Sequence, residues 1–427
     1  MNNMYFCSVF FTKFIPVNRQ THSYDTATLT NGLRIIRHTS PTDVVYTGYA
    51  IDAGTRDEDA GEQGLAHFVE HMLFKGTVRR KAWHILNRME NVGGDLNACT
   101  GKEETMVYTA SLIKDFARAL ELLTDIVFHS TFPDREVPHE VEVILDELES
   151  YEDSPSDLIF DDFEDVLFAG HALGHNILGS PRRLRRFTGA DARSFAERYY
   201  HPSNAVLFVF GNISMERIVR LAEQLTVDLP KGGLTPSRTA PLPCKPATVA
   251  RHRRTHQLHV LTGCATYPAG DERRTGLCLL NNLLGGPGMN SRLNVSLREH
   301  TGLVYNIESN LTGYTDTGVF NIYFGCDADD VEHCLQLVQD ELNRLCEQPL
   351  TVLQLSAAKK QLIGQMGVAG DNFENRALSM AKSYLHYGHC DDHMTVCRRI
   401  EALMADDLQR IAGELFRREN LTTLIYR

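Results

Sequence analysis

The 427-residue chain holds a single tryptophan, no CxxC pair and no apolar run near the roughly 20 residues that a membrane-spanning helix needs. Its ten cysteines are scattered, which argues against a disulfide framework or a cysteine-built zinc cluster and points to free thiols in a reducing compartment. A cytoplasmic location is expected. The apolar stretch at residues 4–11 lacks both a basic leader and a small-residue cleavage site, so it does not read as a signal peptide. Residues 1–24 are read as an N-terminal extension; an organelle transit peptide, suggested by the absence of acids up to Ser23, is the alternative. Positive charge is also scarce. With 43 Lys and Arg against 55 Asp and Glu, a net charge of -12 disfavours nucleic acid as a partner. The basic runs at 182–186 and 251–254 are broken by Leu184 and His252 and read as solvated faces.

What is present is the composition of an ordinary globular protein, 43% apolar and 23% charged. The length exceeds what one core usually organises, so two domains of roughly 200 residues are expected. Segments 29–38 and 44–53 carry β-branched and aromatic residues around the turn signals Asn31-Gly32 and Ser40-Pro41, the pattern of strands. Over 64–75, Leu65, Phe68, Val69, Met72 and Leu73 recur at helical spacing and Gly76 closes the run. A second helix over 82–91 ends at Gly93-Gly94, before an extended run over 95–112. Seven prolines and glycines over 230–246 mark a linker between a first domain at 25–229 and a second at 247–427. Residues 108–116 and 323–331 share a strand, turn and helix pattern at an offset of 215. At that offset His67, Glu70 and His71 fall on Asn282, Gly285 and Gly286, so a duplicated fold with one ionisable cluster is expected.

That cluster is His67-Phe68-Val69-Glu70-His71. The i, i+4 spacing turns both imidazoles to one helix face within reach of a single ion, and Glu70 shares that face as a base able to take a proton from water. Two histidines leave a catalytic zinc one protein ligand short. The acid-rich segment 136–152 is the evident donor, but Glu140 and Glu147 share the spacing of Glu142 and Glu149, and spacing does not choose between them.

Three stretches carry a resemblance: GLAHFVEHMLFKGT at 64–77, GGDLNACTGKEETMVY at 93–108 and EVEVILDELESYEDSPSD at 140–157. Together they look like the pitrilysin and mitochondrial processing peptidase family of inverted-motif zinc peptidases, in its small two-domain bacterial form. HALGHNILGS at 171–180 and YYHPSNAVLFVFGNIS at 199–214 extend the likeness, which covers nearly the whole chain from about residue 25. His175-Asn176 and Gln63 depart from the usual pattern, away from the proposed chemistry.

The resemblance implies an α+β chain of two similar domains, each a mostly antiparallel sheet flanked by helices, the mitochondrial processing peptidase/LuxS-like metallohydrolase fold. It selects Glu147 as third ligand beside His67 and His71 for one Zn2+ per chain, and casts Glu140 as a supporting acid. SRLNVSLREHTGLVYNI at 291–307 matches the segment that supplies an arginine and a tyrosine, here Arg298 and Tyr305, which in the family hold the peptide and stabilise its oxyanion. Asn97, Ala98 and Cys99 match the edge strand onto which substrate backbone adds. The implied activity is a zinc-dependent endopeptidase that cuts short or unfolded peptides in a closed cavity, with water activated by Glu70. One chain supplies half of that cavity, so a homodimer completing its sites in trans is expected. The alternative is a catalytically silent, peptide-binding subunit of a protease heterodimer. His386, His389, Cys390 and His393 crowd together without a defensible ligand spacing, and Gly285 to Gly288 lacks the Lys of a phosphate loop; neither is read as a site.

Overall fold

The computed structural model describes residues 24–427 apart from Cys244 and Arg254; the extension read over 1–24 lies, but for Tyr24, outside the described residues. The first half has strands β1 (Asp25–Thr28), β2 (Arg34–His38), β3 (Val44–Ile51), β4 (Asp95–Thr100), β5 (Thr105–Leu112) and β6 (Ala205–Phe210). Its helices are α1 (Leu65–Leu73), α2 (Ala82–Glu90), α3 (Phe116–His129), α4 (Val137–Glu152), α5 (Pro155–Leu167), α6 (Pro181–Leu184), α7 (Gly189–Tyr199) and α8 (Met215–Thr226). The sheet order is β1-β2-β6-β3-β5-β4, antiparallel except for the β2/β6 pair. β6, AVLFVF, is buried throughout because it lies between two strands and is covered on both faces. Two sequence expectations are corrected in detail. Segment 29–38 is not one strand, since Asn31 Oδ1 accepts from the Leu33 N–H and Gly32 at φ +91° turns the chain between β1 and β2. The run 95–112 folds into the β4/β5 hairpin at residues 101–104.

The second half repeats the plan. It has β7 (Thr248–Arg251), β8 (Leu258–Thr266), β9 (Val304–Gly313), β10 (Gly318–Cys326) and β11 (Thr422–Tyr426), with α9 (Arg274–Gly285), α10 (Val331–Glu347), α11 (Val352–Ala369), α12 (Phe373–Tyr387), α13 (His393–Ala402) and α14 (Ala405–Leu415). The order is β7-β11-β8-β10-β9, again antiparallel except at one pair, β7/β11. An offset of 215 carries β3, β5, α3 and α4 onto β8, β10, α10 and α11, so the likeness found in one short stretch extends through the chain.

The two halves are not independent bodies on a linker, because each covers its sheet with a helix of the other. α12 lays Ala377, Leu378, Ala381 and Leu385 on Ala50, Met106 and Phe208 of the first sheet. In return α5 lays Leu158, Ile159 and Phe163 on Leu261, Tyr323 and Leu424 of the second. Each fully buried Leu, Ile or Phe in these layers contributes up to about 1.5–3 kcal/mol. The acidic face of α5 meets two arginines of the basic run: Arg251 pairs with Asp162 and Asp165 at 2.7 Å each, and Arg253 with Asp162 at 3.4 Å. Part of that run is therefore an ion-paired seam and not a solvated face.

Gly48 of β3 and Gly263 of β8 are equivalent in the repeat, and both allow their neighbours close. A Cβ on Gly263 would stand 2.0 Å from the Phe320 carbonyl oxygen, and one on Gly48 2.5 Å from Tyr108 Cβ. Gly263→Ala is expected to destabilise the protein by about 1–3 kcal/mol, the usual cost of overpacking, as read by urea denaturation; an unchanged midpoint would show that the sheet relaxes freely there.

Candidate metal centre

α1 buries Leu65, Phe68, Val69, Met72 and Leu73 in the core of the first half, which turns His67, Glu70 and His71 toward α4 and the end of β4. Its start is held by two close approaches. Gly64, at φ +96°, abuts the backbone of Gly179, where a Cβ would lie 2.8 Å from the Gly179 Cα. The Glu58 carboxylate then accepts from the N–H groups of Gly64 (3.1 Å) and Ala66 (2.9 Å), a cap supplied from outside the helix at its positive end.

α4 runs beside α1 and brings in the third donor. Glu147 Oε2 stands 3.7 Å from His67 Nε2 and 3.5 Å from His71 Nε2, and one ligand atom from each of the three residues falls within 4.8 Å of the others. Two helical turns earlier on the same face, Glu140 Oε2 lies 3.3 Å from His71 Nδ1, while its Oε1 takes the Lys75 ammonium at 2.5 Å. Of the acids that the spacing left open, Glu147 is the one that lies within 4 Å of both rings. Glu140 occupies the outer nitrogen of His71 and Glu147 faces the inner ones, the arrangement that orients an imidazole toward a metal.

The charge states follow from burial and partners. Burial, then the neighbouring His71, hold His67 down to about 4, so its ring is neutral and offers a lone pair. Burial works the same way on His71, but its bonds to Glu140 and Glu147 prevail and raise it to about 9. A cation held among the three groups would supply the positive charge that the His71 proton otherwise provides. Glu147 is held below the usual carboxylate range, first by His71, and Glu70 is raised by burial against the bond from Thr100. Two imidazoles and one carboxylate converging on one point fit zinc, and they leave a coordination position open for a non-protein ligand.

Glu70 lies beside this triangle and is held by Thr100, whose hydroxyl donates to Oε2 at 2.5 Å. Thr100 ends β4, the outermost strand of the sheet, which pairs with β5 on its inner side, so Asn97, Ala98 and Cys99 lie on an edge strand leading to the histidines. Arg298 and Tyr305 are elsewhere. Both are exposed on the second half, Tyr305 to 86%, and among the described residues neither bonds to the histidine cluster. The crowded residues near 390 do not converge: His386 bonds Glu104 at 3.0 Å, whereas His393 contacts Cys397 at 3.2 Å. No disulfide joins the described cysteines, and no described helix is long and apolar enough to cross a membrane.

Thr100, Lys75 and Glu58 were not legible in the sequence. No spacing rule joins Thr100 to Glu70, which come from a strand and a helix separated by α2. Glu58 could have been suspected as an acid shortly before a helix that has no capping side chain of its own.

Comparison with known proteins decides the family. The family model described as insulinase, peptidase family M16, matches residues 34–181, and the peptidase M16 inactive-domain model matches residues 186–362. An uncharacterized zinc protease of Bacillus subtilis, YmxG, is 33% identical over 93% of this chain and 97% of its own. The chain belongs to peptidase family M16. A Streptomyces coelicolor relative of this M16 protein, also described as an uncharacterized zinc protease, is 32% identical over 93% of the chain and 88% of its own length. The fold is that of a Helicobacter pylori protease, with a TM-score of 0.87 at 22% identity over 95% of this chain and all of the other. A Pseudomonas fluorescens M16 inactive-domain structure gives 0.87 at 20% identity, covering 94% and 98%. The model named for an inactive domain falls largely on the half where the offset replaces the histidines by Asn282 and Gly286.

Proposed function

We propose that this M16 protein is a zinc-dependent endopeptidase acting on short or unfolded peptides, with His67, His71 and Glu147 as ligands and Glu70 as general base. The observation that carries the reading is the convergence of those three donors within 4.8 Å, beside a carboxylate that binds none of them and is fixed by Thr100. Bound zinc supplies a Lewis acid that acidifies water and polarises a peptide carbonyl. The chain does the rest. β4 aligns an extended peptide through backbone hydrogen bonds, which tolerates many side-chain sequences. Glu70 takes the proton of the attacking water and delivers it to the leaving amine. Arg298 and Tyr305, exposed and distant in sequence from the ligands, would reach a peptide held in the site of a second copy, so a cytoplasmic homodimer completes two sites in trans.

The reading is tested by incubating a mixed library of short unfolded peptides with the purified protein while bound metal is measured on the same sample. Cleavage by protein holding about one zinc per chain, loss on chelation and return with added zinc are expected. Protein that holds zinc and binds peptides but cuts none would shift the reading to the silent binding subunit. Thr100→Val is expected to reduce kcat roughly tenfold with KM little changed, and Thr100→Ser to restore most of it, because the hydroxyl acts on Glu70 and not on substrate. Equal activity of the valine and wild-type proteins would remove Thr100 from the machinery.

A further inference from the structure

A cleft of about 630 Å³ opens beside the first turn of α1, on the side of α6, and Arg182, Arg183 and Arg186 line it. We propose that this cleft binds polyphosphate, free or as the tail of a nucleotide. None of the three guanidiniums has a hydrogen bond or ion pair to another side chain among the described residues, whereas Arg56, Arg80, Arg198 and Arg238 are each committed to carboxylates. The two acids that also line the cleft are already engaged. Glu62 takes Arg198 at 2.6 Å and the Asp59 N–H at 2.9 Å, and Asp191 takes the backbone and hydroxyl of Thr188 at 2.8 and 2.7 Å. Three positive charges are thus left facing one ligand-sized space, in a chain whose overall charge is -12.

Like charges held together repel, and a multivalent anion turns that repulsion into attraction. Guanidinium forks match phosphate oxygens in pairs, and a tripolyphosphate brings enough charge and oxygens to engage all three, which a single carboxylate does not. Adjacent positive charge is felt nearby. The His175 imidazole is held below its usual range, first by burial and then by Lys102 and Arg183. The apolar floor offers little to a base, since Leu65 and Phe187 are buried to 0% and 9% exposure, so the phosphate chain is the part recognised. Residues 1–23 contain no acid and cannot neutralise the cleft with side-chain carboxylates.

The test is independent of peptidase activity. Calorimetric titration of the full chain with sodium tripolyphosphate at low salt is expected to give a micromolar Kd that weakens as salt rises. The variant Arg182→Gln/Arg183→Gln/Arg186→Gln should bind at least about tenfold more weakly while its thermal midpoint stays that of wild type, because the removed groups make no hydrogen bond or ion pair to another side chain among the described residues. Arg185→Gln, outside the cleft lining, should bind like wild type. ATP competing as well as tripolyphosphate, with adenosine silent, assigns recognition to the phosphate chain; ATP binding far more tightly assigns the nucleotide as the source. No binding of either at millimolar concentration, equal binding by the triple variant, or an acidic peptide binding more tightly than tripolyphosphate would each overturn the proposal.

Discussion

Glu70→Gln is expected to keep its zinc and to lose roughly 10³-fold or more of its peptide-cleaving kcat/KM, within the 10²–10⁴ range that a positioned general base commonly supplies. The substitution is nearly isosteric, so the packing of α1 and the Thr100 bond to one carbonyl-like oxygen can persist. What disappears is the capacity to accept a proton. His67, His71 and Glu147 are untouched, with Glu140 still on His71 Nδ1 at 3.3 Å, so the donor set for the metal is preserved. Metal quantified by mass spectrometry together with initial rates separates the two contributions. Normal turnover in the variant would exclude Glu70 as the base, and a zinc-free variant would mean that Glu70 helps to hold the ion. Glu147→Gln is expected to give the complementary pattern, in which metal and turnover fall together because a charged donor is lost.

Much of this site could be read from the chain because its parts are local. His67, Glu70 and His71 lie within one and a half turns, and the apolar positions between them fix which side faces the core. The proposed third ligand depends on long-range packing. Periodicity over residues 136–152 gave candidates, the family resemblance selected Glu147, and only the packing of α4 on α1 shows Glu147 facing Nε2 of both rings while Glu140 takes Nδ1 of one. The sheets that α5 and α12 cover were not legible either, since the apolar stripe of a helix does not name its partner sheet. The exchange of these helices between halves had no local signal. Nor did the burial of Lys102, Glu103 and Glu104, three consecutive charges that composition assigns to a surface and the structure leaves 6%, 2% and 8% exposed. Arg238 was missed for a related reason. It sits in a Pro- and Gly-rich segment that looks like a passive linker, yet its guanidinium grips Asp57 at 2.9 and 2.7 Å and Asp52 at 2.9 Å.

That buried charge cluster joins the halves where the turn between β4 and β5 meets its repeat-equivalent, the turn between β9 and β10. Arg56 lies at the centre: it pairs with Glu103 at 2.6 Å, forks onto Asp316 of the second turn at 2.8 and 2.5 Å, and donates to the Thr239 carbonyl at 2.7 Å. Glu103 accepts in addition from the Thr315 backbone at 2.9 Å and its hydroxyl at 2.6 Å. Glu104 is satisfied separately by Lys382 and His386 of α12, which keep its carboxyl well below the usual range despite burial. Arg56→Met retains most of the side-chain volume but strips the cation from between two carboxylates, one of them only 3% exposed. Breaking a buried pair in this way typically costs about 3–5 kcal/mol, because the remaining charge has neither water nor a full partner. The loss should appear in urea denaturation as a lower midpoint, and because Arg56 bonds across the halves, as a transition that broadens or splits. The same turn follows Thr100 directly, so the damage should also reach the catalytic face, with kcat falling while the zinc content of the folded protein is retained. The double variant Arg56→Met/Glu103→Leu removes the orphaned acid as well and should recover part of the lost stability. A single sharp transition at the wild-type midpoint in Arg56→Met would show that the seam is carried by the exchanged helices α5 and α12 alone.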